Sequence, residues 1–300
     1  VRVKMTSVLA GLIFSVIGWG YVQAQQIERV FRTFDGTQPL IRPVQMALSP
    51  SGNRLAICDQ QGNRIYIIDT DGNPNWTIGA GSVVTRPILV CFERDDALLY
   101  YVKGEKTIFR ARESNPDTPD TVATVPDSAL NGLSLDRVIA LDKGQKGFLV
   151  LDREKGTVFR LKADWTFDRK LISQGSGKGR LWSPTDIAVD RSGNIVVSDE
   201  SGCPVQSFTS DGRPLFCGSW NLSEAQRSWN SSTVGVDPGE SIWAADITNL
   251  CWRVFDRAGI QIAQFPFEKP LFKPNSFAIT ADNRMFVADD NGAIIVMSLP

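Results

Sequence analysis

Asp59, Asp152, Asp199, Asp246 and Asp289 fall at equivalent places along this 300-residue chain. A ring of carboxylates can hold a cation or move protons, so these five residues are the first candidates for chemistry. Their repetition argues otherwise: an active site breaks symmetry, whereas a device that stabilises a repeated fold keeps it. The expected role is structural, each aspartate accepting backbone N–H groups in the turn that follows, as in Asx turns. Asp142, Asp190 and Asp237, one turn earlier in their repeats, take the same reading.

The chain contains no histidine, which removes a Ser-His-Asp triad, a Cys-His pair and any His-liganded zinc or iron. Carboxylate, amide and hydroxyl chemistry remains. No cofactor is expected, and calcium is the alternative that such side chains allow. Gly175-Ser176-Gly177-Lys178-Gly179-Arg180 has the composition of a phosphate cradle, but a P-loop opens a helix and this stretch runs into Trp182-Ser183-Pro184 and a strand. Five cysteines leave one over if the rest pair. Cys203 and Cys217 flank the Asp211-Gly212 turn and form the leading disulfide candidate; Cys58 and Cys91 form a second, with Cys251 unpaired. Burial of all five as small hydrophobes is the alternative.

Arg2 and Lys4, an apolar run from Val8 to Val22, and the small-residue site Val22-Gln23-Ala24 read as a secretory signal peptide over residues 1–24. The run is shorter than the roughly 20 residues needed to span a bilayer. The expectation is an exported protein, periplasmic or extracellular, with no stable membrane insertion after cleavage. Removing Arg2 and Lys4 from the 32 basic residues leaves 30 against 33 acidic ones, a net charge of −3. With no run of Lys or Arg, nucleic acid is not an expected partner.

Residues 25–300 read as one domain of repeats. With the acid as anchor, and Val102 in its place in the second copy, the intervals run from about 43 to about 50 residues, the range for stacked four-stranded units. Leu55, Leu98, Phe148, Ile195, Ile242 and Met285 stand four positions before the anchor. Ile57, Tyr100, Val150, Val197, Ala244 and Val287 stand two before it. The residues between these columns are apolar too, so the second strand of each unit is buried on both faces. Upstream, Ala47, Cys91, Ala140, Ala188, Gly235 and Ala278 mark a first strand whose small residues suit a crowded ring around a central channel. Turn signals such as Ser51-Gly52-Asn53 and Ser192-Gly193-Asn194 sit where hairpins need them. The sixth copy stops after its third strand, and Ile27 to Phe34 can supply the fourth by pairing with Ala293 to Ser298, which removes exposed edges. The expected fold is all-β: a six-bladed β-propeller of four-stranded antiparallel blades, with the N-terminal strand completing the last.

The stretch from Pro184-Thr185-Asp186-Ile187 through Asp190-Arg191-Ser192-Gly193-Asn194 to Asp199 resembles the core of an NHL repeat: an apolar strand, an Asp-x-x-Gly-Asn turn and a second strand closing in Asp. Blades one, five and six echo it; blades two and three depart most. The resemblance spans essentially the whole chain after the leader and implies an NHL-type six-bladed propeller. The family's amidating lyases, and the related paraoxonase-like and streptogramin-lyase propellers, rely on histidines that this chain lacks. Gluconolactonase-like propellers instead hold a divalent ion at the channel mouth with Glu, Asn and Asp. Asp186 and Asn275 could serve that purpose here, although the opening Glu-Gly-Pro segment is missing.

The mouth is expected where each first strand begins, which brings forward Gln45, Arg86, Arg137, Asp186, Asn230 and Asn275 as ligand-binding candidates. Trp182, Trp220 and Trp229, in connecting segments, could line a groove or be buried in the loop layer. The function expected from all of this is an exported, non-catalytic binding scaffold for a protein, peptide or glycan ligand. The alternative is a divalent-metal-dependent, gluconolactonase-like hydrolase.

Overall fold

The computed structural model describes residues 25–79, 84–94, 96–102, 107–124, 139–141, 147–176, 178–200, 203–218 and 229–300. The expected leader, Arg137, Asp142 and Trp220 lie outside the described residues. Within them the chain forms twenty-four strands in six antiparallel four-stranded sheets, and no helix. After β1 (Gln26–Phe31), blade one holds β2 (Pro43–Leu48), β3 (Arg54–Asp59), β4 (Arg64–Asp69) and β5 (Pro74–Ile78). Blade two holds β6 (Pro87–Arg94), β7 (Ala97–Val102), β8 (Thr107–Arg112) and β9 (Asp120–Thr124). Blade three holds β10 (Ile139–Leu141), β11 (Gly147–Asp152), β12 (Thr157–Lys162) and β13 (Phe167–Ile172). Blade four holds β14 (Pro184–Val189), β15 (Ile195–Asp199), β16 (Val205–Phe208) and β17 (Pro214–Cys217). Blade five holds β18 (Ser231–Val236), β19 (Ile242–Asp246), β20 (Cys251–Phe255) and β21 (Gln261–Pro266). Blade six holds β22 (Pro274–Ile279), β23 (Arg284–Asp289) and β24 (Ala293–Ser298). The fold is the expected six-bladed propeller.

β1 completes blade six. It pairs antiparallel with β24, from Gln26 opposite Ser298 to Phe31 opposite Ile294. The closing strand ends earlier than the Ile27 to Phe34 segment suggested. Asp35 accepts the N–H groups of Thr37 and Gln38 and turns the chain, while Phe34 packs against Tyr66 in the interface of blades six and one.

The second strands β7, β11, β15 and β19 are buried along their whole length, because each lies mid-blade with a neighbouring sheet on either face. Six hydrophobic clusters result, one for each pair of adjacent blades. The small first-strand column has a steric reason that Gly235 makes plain: a Cβ there would come within 2.6 Å of the Phe277 ring on the next blade. The turn after β14 follows the expected pattern. Asp190 accepts from the backbone and side-chain nitrogens of Asn194, and Gly193 takes φ +83°.

Three of the anchoring acids, Asp59, Asp199 and Asp289, do more than cap the turn that follows. Asp59 does accept from Gly62 N (3.2 Å), but it also takes Ile41 N (3.0 Å) and Arg42 N (2.8 Å), which lead into the first strand of its blade. Asp199 takes Trp182 N and Ser183 N, and Asp289 takes Phe272 N and Lys273 N, at the same two positions. Each carboxylate thus ties the end of the second strand to the segment before the first. Blade two, which has Val102 instead of an acid, finds a substitute: Asn63 of blade one accepts Arg86 N through Oδ1 at 2.8 Å. In blade five Asp246 is occupied by Thr248 N, Asn249 N and Arg253 Nε, and the Thr248 hydroxyl accepts Asn230 N in its place.

Two expected outcomes follow from this geometry. Deleting residues 27–34 should unfold or aggregate the protein by exposing β24; a monomeric truncation that melts like the parent chain would refute the closure. Asp59→Ala should lower unfolding free energy by roughly 3 kcal/mol, since it orphans several partly buried N–H groups at once. Denaturant titration checks this, and a loss under roughly 0.5 kcal/mol, the range of a neutral surface change, would contradict the clamp.

Candidate functional site

Each innermost strand is an edge strand of its sheet and turns one side of its backbone toward the channel. Those N–H and C=O groups need partners, and the neighbouring blade provides them. Gln45 Oε1 accepts Val90 N at 3.1 Å, Asp186 Oδ2 accepts Val234 N at 3.3 Å, and Ser276 Oγ accepts Met46 N at 3.1 Å. In all three the acceptor sits at one position of a first strand, and the donor is one residue beyond the equivalent position in the next blade. A matching set of donors lies one residue earlier. Asn275 Nδ2 donates to Pro43 O (3.0 Å), Ser232 Oγ to Pro274 O (2.7 Å) and Thr185 Oγ1 to Ser231 O (2.8 Å).

Three of the mouth candidates, Gln45, Asp186 and Asn275, therefore stitch blades together. They also form part of a collar between two cavities. Above it, a mouth of about 400 Å³ is lined by Arg42, Arg86, Arg153, Glu200 and Lys273 among others. Below it, a channel of about 690 Å³ has walls that include Met46, Val90, Ile187, Val234 and Phe277. Gln45, Asp186 and Ser276 line both.

Arg86 is exposed at the mouth in the left-handed region, φ +51°. Asn230 is exposed but does not line the mouth cavity. Trp182 is exposed; Trp229 is buried, stacked on Phe255 and beneath the Arg253 guanidinium. A disulfide joins Cys203 to Cys217, with Cα atoms 5.6 Å apart, whereas Cys58, Cys91 and Cys251 are free and buried. The Cys58–Cys91 pairing is thereby set aside.

Sequence reasoning missed Arg153, Glu200 and Lys273. A periodic signal existed for them. Arg153 and Glu200 each follow an anchoring acid directly, and Lys273, like Arg42 and Arg86, directly precedes a first strand. In blades one, four, five and six the N–H of the first position bonds to the carbonyl of the second, as Gln60 N does to Arg42 O, so the two columns form adjoining rims of the mouth.

Asp186 is the chemically distinctive group of the collar. Burial pushes its pKa up to about 6, against the opposing effects of Thr233 Oγ1 (2.5 Å), the N–H groups of Ile187 and Val234, and the charge of Arg153. Asn275 spends its amide N–H groups on Pro43 O and Asp290 Oδ1. Calcium takes 6–8 oxygen ligands. Among the described residues no three His, Cys, Asp or Glu side chains group in a way that could hold a metal. The oxygens of Asp186 are already shared among three donors, so this pair fits a cation poorly.

No protein-family model matches the sequence, nor does any curated protein. Solved structures do resemble the fold. A streptogramin B lyase superposes with a TM-score of 0.68 at 10% identity, covering 92% of this chain and 98% of the lyase. A catalytically inactive histidine-to-alanine form of virginiamycin B lyase from Staphylococcus aureus, with quinupristin, gives 0.67 at 12% identity, over 92% of this chain and all of that one. At such identities the likeness concerns the propeller architecture.

The raised pKa of Asp186 has a definite sign for stability. Below about pH 4 the carboxyl is protonated folded and unfolded alike, and its titration costs nothing. Between about pH 4 and 6 the unfolded chain ionises first, so folding loses stability as pH rises, by on the order of 3 kcal/mol in total, and the loss is constant above that window. Asp186→Asn should remove this component. Denaturant unfolding of parent and variant from pH 4 to 7 reads it as a widening difference; parallel curves would mean an ordinary carboxylate.

Proposed function

We propose that this chain is an exported, NHL-type propeller that works as a non-catalytic binding scaffold, with its channel mouth as the ligand-facing end. The observation that carries this reading is the use made of the polar collar: Gln45, Asp186, Asn275 and Ser276 serve the backbone of neighbouring blades. Groups held in this way keep a ring rigid, which is what a scaffold presenting fixed loops requires. The absence of histidine agrees. The lyases that share the fold include one whose histidine-to-alanine form is catalytically inactive, and this chain has no residue of that type to offer. The leader-like N-terminal run and the Cys203–Cys217 disulfide support export into an oxidising compartment.

A gluconolactonase-like hydrolase would need Asp186 as a ligand to a divalent ion. Elemental analysis of the purified protein, with melting in the presence and absence of a chelator, separates the two readings. The scaffold reading expects no stoichiometric divalent ion and an unchanged melting temperature. Stoichiometric calcium or zinc that is lost in Asp186→Ala, together with lactone hydrolysis that disappears in the same variant, would overturn it.

A further inference from the structure

The four most exposed large apolar side chains among the described residues are Phe272 (65%), Trp182 (60%), Leu250 (54%) and Ile41 (48%). All four lie at the mouth end of the ring. Ile41, Trp182 and Phe272 occupy one repeated position, two residues before a first strand, where their N–H groups are held by Asp59, Asp199 and Asp289. Leu250 lies in the β19–β20 turn at the same end, where its carbonyl accepts Phe267 N. The other exposed apolar residues, Val30, Leu215, Ile260 and Ile262, lie on or beside outer strands of the blades and less than half exposed.

A backbone clamp explains why the chain is fixed at the repeated position. It does not explain why the side chains there are large, apolar and held outward, since any residue with an N–H group would satisfy the acid. The equivalent Trp229 in blade five is buried, which shows that the position can also turn inward. Large apolar side chains exposed together on one face mark a candidate contact surface, and aromatic anchors are the usual centres of binding energy in such surfaces.

Charge decides what sort of partner fits. The mouth cavity at this end of the ring is lined by Arg42, which is paired with Asp290, and by Arg86, Arg153 and Lys273 against the acids Asp186 and Glu200. Asp186 is buried and its pKa is raised. Arg86 and Lys273 are exposed, and among the described residues neither takes part in an ion pair. Exposed cations and exposed apolar side chains on one face are complementary to a peptide segment that carries carboxylates beside aromatic or aliphatic side chains.

We infer that the mouth face is the docking surface for a protein partner, through an acidic segment flanked by apolar residues that seats its carboxylates at Arg86 and Lys273 and its apolar side chains against Trp182 and Phe272. This rests on the scaffold reading and adds to it the face and the partner's chemistry.

A random peptide display library selected against the full chain tests it. Enriched peptides should carry an excess of Asp and Glu next to apolar residues. A synthetic copy of one should lose at least about tenfold in affinity on Arg86→Glu/Lys273→Glu and on Trp182→Ser/Phe272→Ser, both at exposed positions and checked for parental melting. Its binding should also weaken with added salt. Enrichment of basic or uncharged peptides, no enrichment at all, or equal binding to both variants would overturn the inference. Equal binding to both variants, or capture of a neutral glycan in place of any peptide, would do so while leaving the scaffold reading intact. A metal-dependent lactonase activity would remove the scaffold reading independently.

Discussion

The hydrogen-bond acceptor that holds the lead-in to a first strand, a carboxylate in blades one, four and six, is the interaction on which the rest of this ring depends. A propeller blade has a geometrical difficulty at its mouth end: the chain arrives from the previous blade's outer strand and must turn into the innermost strand with its N–H groups in no sheet. Asp59, Asp199 and Asp289 each take two consecutive N–H groups there. One short, charged acceptor does what a fifth strand would otherwise have to do, at a place where no strand fits. Where the acid is missing or occupied, another acceptor takes over, Asn63 in blade two and Thr248 in blade five. Such substitution indicates that the requirement lies with the backbone and not with the aspartate as such.

Lower in the channel the same requirement shapes the collar. Inner strands expose a backbone edge to the channel, and side chains of one blade satisfy groups of the next: Gln45 with Val90, Asp186 with Val234, Ser276 with Met46. Polar residues facing a channel invite a functional reading. Here they are first of all structural, and exposed cations such as Arg86 and Lys273 stand further out, just before their first strands. Rigidity at the collar and chemical freedom at the rim are two results of one arrangement.

Much of the architecture was legible from spacing. Columns such as Leu55, Leu98 and Met285 announce a strand buried on both faces, and Gly235 announces a close neighbour, because burial and steric crowding recur with the repeat. The pairing of β1 with β24 could be anticipated from a missing fourth strand. The site was less legible. Gln45, Asp186 and Asn275 line the mouth cavity, but they bond to residues more than forty positions away, and no local pattern announces such partners. Arg153, Glu200 and Lys273 were overlooked since each looks like an ordinary turn residue until the ring closes.

The amino-acid sequence by itself determined the number of blades, the identity of their buried strands and the absence of histidine chemistry, because periodicity, apolarity and composition are properties of the chain alone. Only the tertiary structure decided that Asp59, Asp199 and Asp289 reach back to the lead-in of their own blades, that channel polar groups are consumed between blades, and that Ile41, Trp182 and Phe272 share one face. Those facts depend on hydrogen bonds and exposures set by distance in space, and residues far apart in sequence acquire such distances when the sheets come together around the axis.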